Sequence, residues 1–216
     1  MIIKALVAVR SGSQRVKNKN IKPFAGSNLL EIKLEQLKRI KGLDGVIVNS
    51  NDDGMLDIAR AHGCEAVKRD EYYASNSVSM SDVYKNMAEN CDCDVIAYIN
   101  VTNPLIEDST IEELIEFYKN HCEEYDSVNS AHPVKEFLFE NNKPINYDLK
   151  HQPRSQDLPD IYALNFAVNI IRKQDMINCK NVVGNKPYIY AIDEVEATDI
   201  DNQIDFDFAE FIFSRR

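Results

Sequence analysis

The chain has 216 residues, 44% of them hydrophobic, and a formal net charge of −10 at pH 7. This length and composition allow one substantial core, so we expect a single domain over residues 1–216. The acidic balance argues against nucleic acid or an anionic membrane as a partner, because both would repel the chain. The sequence has neither an apolar stretch of ~20 residues nor a signal-peptide pattern, which predicts a cytoplasmic protein without a membrane partner.

Segments with strand and helix character alternate through the first 130 residues. Apolar runs predict buried strands, and helical spacing of apolar residues predicts helices. The predicted strands are 2–9, 45–48, 65–68 and 95–99, and the predicted helices are 29–40, 55–62, 79–90 and 109–120. The last helix opens on a capping box formed by Ser109 and Glu112. This alternation predicts βαβ units and a doubly wound α/β fold with a mostly parallel sheet.

The alternation stops between residues 131 and 164, a segment with four prolines and many amides. No helical period fits it, so we predict an irregular, extended arm that serves as an active-site flap or a dimer contact. Strands are predicted to resume at 166–172 and 188–192, and a helix at 204–214 closes the chain.

A basic loop, residues 10–20, follows directly on the first predicted strand. Such a loop lies at the carboxyl edge of the sheet, where open α/β folds bind ligands. Backbone N–H groups and Gly12 can approach phosphate oxygens closely, and Arg10, Arg15 and Lys19 supply the opposing charge. The spacing matches neither the P-loop nor the dinucleotide-binding pattern. The loop is therefore interpreted as a polyphosphate cradle, with a merely solvated basic loop as the alternative.

The ordered pattern in this loop is Arg-x-Gly-Ser-x-Arg-x-x-x-Lys-Asn, met at Arg10, Gly12, Ser13, Arg15, Lys19 and Asn20. It resembles the nucleotide-binding signature of the acylneuraminate cytidylyltransferase family. The resemblance implies a Rossmann-like fold of the nucleotide-diphospho-sugar transferase type. It also implies that these six residues bind CTP and that Arg10 and Lys19 take part in catalysis.

Two further segments resemble nucleotide-contacting parts of the same family, at intervals along the chain. Lys68-Arg69 is similar to a Lys-Arg-Pro segment, and Ser81-Asp82 is similar to a Thr-Ser-Asp segment. The resemblance implies that Arg69 and Ser81 contact the nucleotide. Ser and Asp are also common at helix N-termini, and for Asp82 we favour capping.

The acceptor half of the family pattern is matched at four places. Asn100 opens a segment similar to Gln-Pro-Thr-Ser-Pro-Leu, Lys135 ends one similar to His-Pro-Leu-Lys, and Arg154 lies in one similar to Pro-Arg-Gln. Asn165 lies in a stretch similar to Tyr-x-Ser-Asn-Gly-Ala-Ile-Tyr. The resemblance implies that these four residues bind an acidic sugar, with Lys135 and Arg154 on its carboxylate. Phe166 replaces the family's Gly, and Asn169 replaces the second Tyr, which leaves the identity of the sugar open.

Near the carboxyl end, Asp199-Ile200-Asp201 is closely similar to the family's Asp-Ile-Asp. Two carboxylates at i and i+2 of an extended segment project to the same side, which suits a shared Mg²⁺ that bridges substrate phosphates. Asp199 and Asp201 are therefore predicted Mg²⁺ ligands, and Asp201 a catalytic residue. An acidic loop ahead of a helix is the alternative.

The function implied is a Mg²⁺-dependent cytidylyltransferase that transfers CMP from CTP to a sialic-acid-like nonulosonate, or another 2-keto acid sugar, and releases pyrophosphate. A homodimer is expected, because irregular arms often exchange across a two-fold axis. Two other classes stay open: a glycosyltransferase that uses a sugar nucleotide and reads residues 199–201 as an Asp-x-Asp motif, and a non-catalytic nucleotide-binding protein.

Overall fold

A computed structural model of the protein describes residues 1–13 and 15–216. Position 14, within the predicted cradle, lies outside the described residues. Eleven strands are present in the described part of the chain: β1 Ile3–Ala8, β2 Pro23–Phe24, β3 Ser27–Asn28, β4 Gly45–Ser50, β5 Glu65–Lys68, β6 Val95–Ile99, β7 Ser127–Val134, β8 Phe139–Glu140, β9 Lys143–Pro144, β10 Ile161–Arg172 and β11 Pro187–Ala191. The helices there are α1 Leu29–Arg39, α2 Asp53–Ala61, α3 Glu71–Ala74, α4 Met80–Glu89, α5 Asp108–His121, α6 Lys173–Cys179 and α7 Gln203–Phe213.

Seven strands form one sheet in the order β11-β7-β10-β6-β1-β4-β5. Strand β10 pairs antiparallel with β6 and β7, whereas the other pairings in the sheet are parallel. The prediction of a mostly parallel sheet is therefore confirmed.

Helices cover both faces of this sheet. The larger core contains Leu34 of α1, Tyr118 of α5 and Phe206 of α7, and the smaller core contains Met87 of α4 and Met176 of α6. Strand β1 contributes to both cores, because its side chains alternate between the two faces. The doubly wound α/β architecture is confirmed.

The centre of the sheet contains the point where the strand order reverses. From β1 the chain first builds β4 and β5 on one side and then returns to place β6 on the other side of β1. The carboxyl ends of β1 and β6 therefore border a crevice, which is where open α/β sheets bind ligands. The basic loop leaves β1 at this point.

The predicted arm at 131–164 is irregular over a shorter range than expected. Its first residues continue β7 and its last residues begin β10, and the two strands pair from Val134 with Ile161 to Ala131 with Leu164. Only 135–160 lies between them, with the hairpin β8–β9 and the short 3₁₀ helix Ser155–Asp157. The prolines and amides of this segment led to a prediction of irregular structure at these strand ends. Strand formation there depends on a cross-strand partner, which local propensity does not reveal.

The capping box predicted at Ser109 and Glu112 is wrong. Helix α5 begins one residue earlier, at Asp108. The Asp108 carboxylate accepts hydrogen bonds from Gln36 and Arg39 of α1, so a tertiary contact decides where the helix starts. None of the helices in residues 1–13 and 15–216 is long and apolar enough to cross a bilayer.

Candidate functional site

The basic loop is anchored to the sheet and the core. The Val9 N–H donates to a carbonyl of β4 at 3.1 Å, and Val16 is buried in the larger core. Gly12 (φ +85°) and Asn18 (φ +53°) adopt left-handed backbone conformations, which Gly and Asn tolerate better than other residues. The described residues of the loop are therefore tied to the sheet at Val9 and to the core at Val16, ahead of the 3₁₀ helix Lys19–Ile21.

A cavity of about 460 Å³, here called the phosphate cavity, opens beside this loop. At this cavity Asp201 of the carboxyl-terminal acidic segment lies against the amino-terminal basic loop. Its walls include seven of the predicted site residues, namely Arg10, Gly12, Ser13, Arg15, Lys19, Asn20 and Asp201. Asn76, which precedes α4, also lines the cavity, and nothing in its sequence surroundings signalled that position.

The cations of the phosphate cavity have protein partners. Arg15 Nη2 lies 2.8 Å from Asp201 Oδ1, and Arg10 Nη1 donates to the Ala74 carbonyl at 2.7 Å. The Lys19 ammonium donates to the carbonyl of Ile200. Burial lowers the pKa of Lys19, while the carboxylates of Asp199 and Asp201 oppose that shift. Positive and negative groups are thus interleaved along this wall.

Asp199 lies two residues before Asp201 and is exposed, yet its carboxyl group is partly desolvated. Desolvation raises its pKa, and the Asp201 carboxylate adds to the rise. A hydrogen bond from the Thr102 side chain and the charge of Lys19 act in the opposite direction. Asp199 and Asp201 are therefore close enough to repel each other, and a cation between them would relieve that repulsion.

The acidic segment fits a Mg²⁺ that takes part of its coordination from a substrate. Asp205 is already committed, because its carboxylate accepts from the N–H groups of Asp201 and Asn202 at 2.8 and 2.9 Å and so caps α7. Two carboxylates remain, and within the described residues three or more His, Cys, Asp or Glu side chains nowhere form a metal cluster. One or two carboxylates plus phosphate oxygens are the ligands that Mg²⁺ commonly uses.

A second cavity of about 320 Å³, here called the base cavity, adjoins the first and shares Ala8, Arg10 and Asn76 with it. Its other walls are largely apolar or aromatic, with one charged group: Val9, Arg69, Tyr73, Ser75, Val78, Met80, Val83, Met87 and Tyr98. Among them, Met80, Val83 and Met87 of α4 and Tyr98 of β6 belong to a helix and a strand that the sequence pattern predicted without indicating a binding site. A largely apolar cavity with a buried cation suits a heteroaromatic ring.

Arg69, predicted from its resemblance to a nucleotide-contacting residue, is buried at the base cavity. Its guanidinium donates to Asn49 Oδ1 at 2.5 Å and to the Asn49 carbonyl at 2.9 Å, and desolvation lowers its pKa. Ser81 is exposed in the first turn of α4. The cap of that helix is Ser79, whose side chain pairs reciprocally with Asp82, so Asp82 does serve the helix N-terminus.

The predicted acceptor residues fall into two groups. Asn100 and Asn165 lie where β6 meets β10, and the Asn100 N–H donates to the Ala167 carbonyl at 3.4 Å. Lys135 and Arg154 lie in the arm and are paired with its own carboxylates. Lys135 Nζ is 2.6 Å from Asp160 Oδ1, and Arg154 forms a two-pronged pair with Asp157 at 2.7 and 3.2 Å.

The β10 bulge between Leu164 and Asn169 gives Phe166 an unusual backbone. Phe166 has φ +56°, a left-handed conformation that a bulky residue adopts only at a cost. Asn165 holds the bulge, because its Oδ1 accepts from Ser130 Oγ at 2.6 Å and from the Ala167 N–H at 3.1 Å. The family's Gly at this position would suit this conformation, and here Phe occupies it instead.

A larger cavity, about 700 Å³, lies elsewhere, between α1, the segment before α5 and the end of α7. Several charged groups in its walls are already paired, as Arg39 is with Asp108. Size alone therefore does not identify the site, because the convergence of unlike charges and the topological switch point favour the phosphate cavity.

Comparison with known proteins identifies the family of the chain. A family model described as cytidylyltransferase matches residues 4–210. The chain is 25% identical over 219 residues to the N-acylneuraminate cytidylyltransferase of Escherichia coli, covering 95% of this chain and 50% of that one. It is 23% identical over 219 residues to the pseudaminic acid cytidylyltransferase of Campylobacter jejuni, covering 96% and 94% of the two chains.

A solved structure with a similar fold is that of CMP:2-keto-3-deoxy-manno-octonic acid synthetase complexed with CTP, with a TM-score of 0.74 and 12% identity over 100% of this chain and 99% of that one. The resemblance to acylneuraminate cytidylyltransferases is thereby confirmed at the level of the family. The family model spans nearly the whole chain, and the chain therefore belongs to the cytidylyltransferase family of nucleotidyltransferases.

Proposed function

We propose that this enzyme transfers CMP from CTP to a sialic-acid-like nonulosonate, or another 2-keto acid sugar, and releases pyrophosphate. The observation that carries the proposal is the phosphate cavity, in which Arg10, Arg15 and Lys19 face Asp201 at the switch point of the sheet. Cations alone would suit many anions. Cations interleaved with a carboxylate pair suit a triphosphate that arrives with Mg²⁺.

Positioning and charge neutralisation are the main tasks in such a transfer. The acceptor hydroxyl attacks the α-phosphorus and gives its proton to water, the bond to the bridging oxygen breaks, and pyrophosphate leaves with the electron pair. Arg10, Arg15 and Lys19 would hold the triphosphate oxygens and offset their growing negative charge. Asp199 and Asp201 would hold Mg²⁺, which when bound neutralises phosphate charge.

The base cavity supports a pyrimidine nucleotide as donor. It adjoins the phosphate cavity through Arg10, so one ligand can occupy both. Val83, Met87 and Tyr98 supply apolar surface, and Arg69 supplies buried N–H donors. A ring with carbonyl and ring-nitrogen acceptors, as in cytosine, fits these walls.

Support for an acid sugar as acceptor comes from the arm. Lys135 and Arg154 are its cations at family-matched positions, and each is held by an exposed aspartate. Exposed ion pairs are worth about 0–1 kcal/mol, so a substrate carboxylate can replace Asp157 at the guanidinium with little penalty. The names of relatives suggest candidate sugars: N-acylneuraminate, pseudaminic acid, diacetyllegionaminic acid and 8-amino-3,8-dideoxy-manno-octulosonate.

The proposal is tested by measuring pyrophosphate release from CTP with each of these four sugars in the presence of Mg²⁺. Release with at least one sugar, together with formation of its CMP conjugate, is the expected result. Consumption of a sugar nucleotide without pyrophosphate would favour the Asp-x-Asp glycosyltransferase. CTP binding without turnover of any sugar would favour a non-catalytic binding protein.

We also propose that the protein is a homodimer in which the arm contacts the partner subunit. The arm exposes apolar side chains, with Phe139 54%, Ile145 58% and Leu149 64% exposed. Sedimentation of the wild type should give twice the mass of the chain, and Leu149→Glu should shift the population toward monomer. A monomeric wild type at micromolar concentration would contradict this.

A further inference from the structure

Helix α1 buries a lysine where the helical pattern calls for an apolar residue. Lys33 lies beside Leu34 and Leu37 on the buried side of α1 and is 0% exposed. Lysine is among the residues least often buried in full. Its Nζ donates to Gln36 Oε1 at 2.7 Å and to the main-chain carbonyl of Asn103 at 3.1 Å, so both acceptors are neutral oxygens.

Gln36 extends this contact along the segment that joins β6 to α5. Its Nε2 donates to the Ile106 carbonyl at 2.7 Å and to Asp108 Oδ1 at 3.0 Å. Helix α1 therefore holds the segment 103–108 at three residues, all reached by the buried Lys33 and Gln36, and the exposed Arg39 adds a further contact at Asp108. Contacts of this kind fix a segment in one position, because each alternative position leaves a buried polar group unpaired.

The same segment also contacts residues 197–200, which lead into the acidic segment. Asn103 is fully buried, and its Nδ2 donates to the carbonyls of Thr198 and Ala197 at 3.1 and 3.4 Å. The Thr102 carbonyl accepts from the Ile200 N–H at 2.9 Å. Residues 102 and 103 thus lie between Lys33 and the segment that carries Asp199.

We propose that Lys33 is a positioning residue for the acidic segment: through Asn103 it fixes residues 197–200, and so sets the position of Asp199 and the presentation of Asp201 at the phosphate cavity. The inference rests on the proposed function, since it concerns the residues assigned there to Mg²⁺. Lys33 itself touches neither aspartate within the described residues.

A lysine suits this role in either protonation state. An ammonium has three N–H donors and a neutral amine has two, so both hydrogen bonds survive loss of the proton. The charged groups that act on Lys33 are Asp108 on α5 and Arg39 on α1, with opposite signs. A merely space-filling role would be served better by Met, which needs no partners at all.

The test compares Lys33→Met and Asn103→Leu with Lys38→Met, a matched control on the exposed side of the same helix. The first readout is amide hydrogen exchange of the peptide 197–203 in the metal-free protein. Exchange there should become about fivefold faster in Lys33→Met, the change expected for one lost hydrogen bond, and at least that much faster in Asn103→Leu, which loses two. Lys38→Met should match the wild type.

The second readout is the Mg²⁺ concentration for half-maximal activity, with the Kd of CTP measured separately in EDTA. Lys33→Met should need about tenfold more Mg²⁺, as when a partner of a metal ligand is removed, with the Kd of CTP unchanged. Asn103→Leu should give the same phenotype, and it replaces Lys33→Met in the test if that variant folds poorly. The Asn103 Oδ1 that it removes is buried and has no hydrogen-bond partner among the described residues. The double variant should be no worse than either single variant.

Two results would overturn the inference. Unchanged exchange at 197–203 in Lys33→Met refutes the structural link, whatever reaction the enzyme catalyses. Faster exchange with unaltered Mg²⁺ dependence reduces Lys33 to a packing residue. Asp201→Asn, measured alongside, distinguishes a failure of this inference from a failure of the proposed function. It should abolish turnover while CTP still binds in EDTA. Normal Mg²⁺ activation in that variant would refute the assignment of Asp201 to Mg²⁺, and with it the catalytic part of this inference.

Discussion

Arg15 and Asp201 neutralise each other across the phosphate cavity, at 2.8 Å and with both side chains about half exposed or more. A pair this exposed is worth about 0–1 kcal/mol, so it separates readily when better partners arrive. A triphosphate can then take the guanidinium and a cation can take the carboxylate. The pair keeps both groups in place in the free enzyme.

The first residue-scale prediction concerns the cradle. Arg15→Ala and Lys19→Ala should each weaken CTP binding roughly ten- to a hundredfold, because a charge-assisted hydrogen bond is worth about 1.5–3 kcal/mol. The fold should persist, since surface-loop truncations usually cost little stability. Calorimetric titration with CTP measures the loss, with Lys17→Ala, an exposed cation of the same loop, as control. Unchanged CTP affinity in both variants would reject the cradle, and equal affinity for UTP would reject cytidine selectivity.

A second residue-scale prediction concerns the acceptor. Arg154→Ala should raise the KM for the acid sugar and lower kcat/KM roughly ten- to a hundredfold while the KM for CTP stays constant, because one fork to a carboxylate is lost. Arg154→Lys should recover only part of the activity.

Asp157→Asn is the matched control, since it removes the local partner of Arg154 and keeps the guanidinium. Its acid-sugar KM should be no higher than that of the wild type. Steady-state kinetics with each substrate varied in turn decides the point. An unchanged acid-sugar KM in Arg154→Ala would mean that another group holds the carboxylate, or that the acceptor is not an acid.

At the scale of elements, β10 carries a bulge between Leu164 and Asn169. Ser130 of β7 and Asn165 hold the bulge from within the sheet, and Phe166 then turns with φ +56°. A left-handed conformation costs a residue with a Cβ atom about 1–2 kcal/mol, and glycine is spared that cost.

The bulge predicts an order of stability for two truncations. Phe166→Gly and Phe166→Ala both remove the ring from the smaller core, so the lost apolar contact is nearly the same. Only alanine keeps a Cβ at positive φ, and Phe166→Gly should therefore be about 1 kcal/mol more stable than Phe166→Ala. Urea unfolding of the two variants measures the difference. A more stable alanine variant would show that the bulge relaxes when the ring is removed.

At the scale of the whole molecule, Lys33 makes stability depend on pH. Burial, with a smaller contribution from Arg39, lowers its pKa from 10.5 to about 7 in the folded state, and Asp108 opposes the shift. Between those two values the unfolded chain binds the proton that the folded protein has released. The free energy of unfolding therefore rises with pH in this window, and below about pH 7 the full cost of burying the charge is present.

The measurement is the difference in unfolding free energy between the wild type and Lys33→Met at several pH values, which cancels the other titrating groups. This difference should shift in favour of the wild type by up to about 1.4 kcal/mol per pH unit from pH 7 to 9, and stay flat below about pH 6. A difference that is constant from pH 6 to 9 would show that Lys33 does not change its charge on folding in this range.

The amino-acid sequence by itself determined the features that depend on neighbouring residues along the chain. Periodic apolar residues predicted five of the eleven strands and five of the seven helices in the described residues within two positions, and the contiguous cradle pattern predicted the family. These succeed because a strand, a helix or a loop signature is set by residues within a few positions of each other.

Only the tertiary structure decided the contacts between distant segments. In the folded protein Asp201 pairs with Arg15, and Arg69 donates to Asn49. Helix α5 begins at Asp108, and the buried Lys33 donates to the Asn103 carbonyl. Each depends on partners some 20 to 190 positions away, which local propensity and spacing do not encode. The cost of leaving a buried polar group unpaired selects these partners, and that cost exists only once the chain has packed.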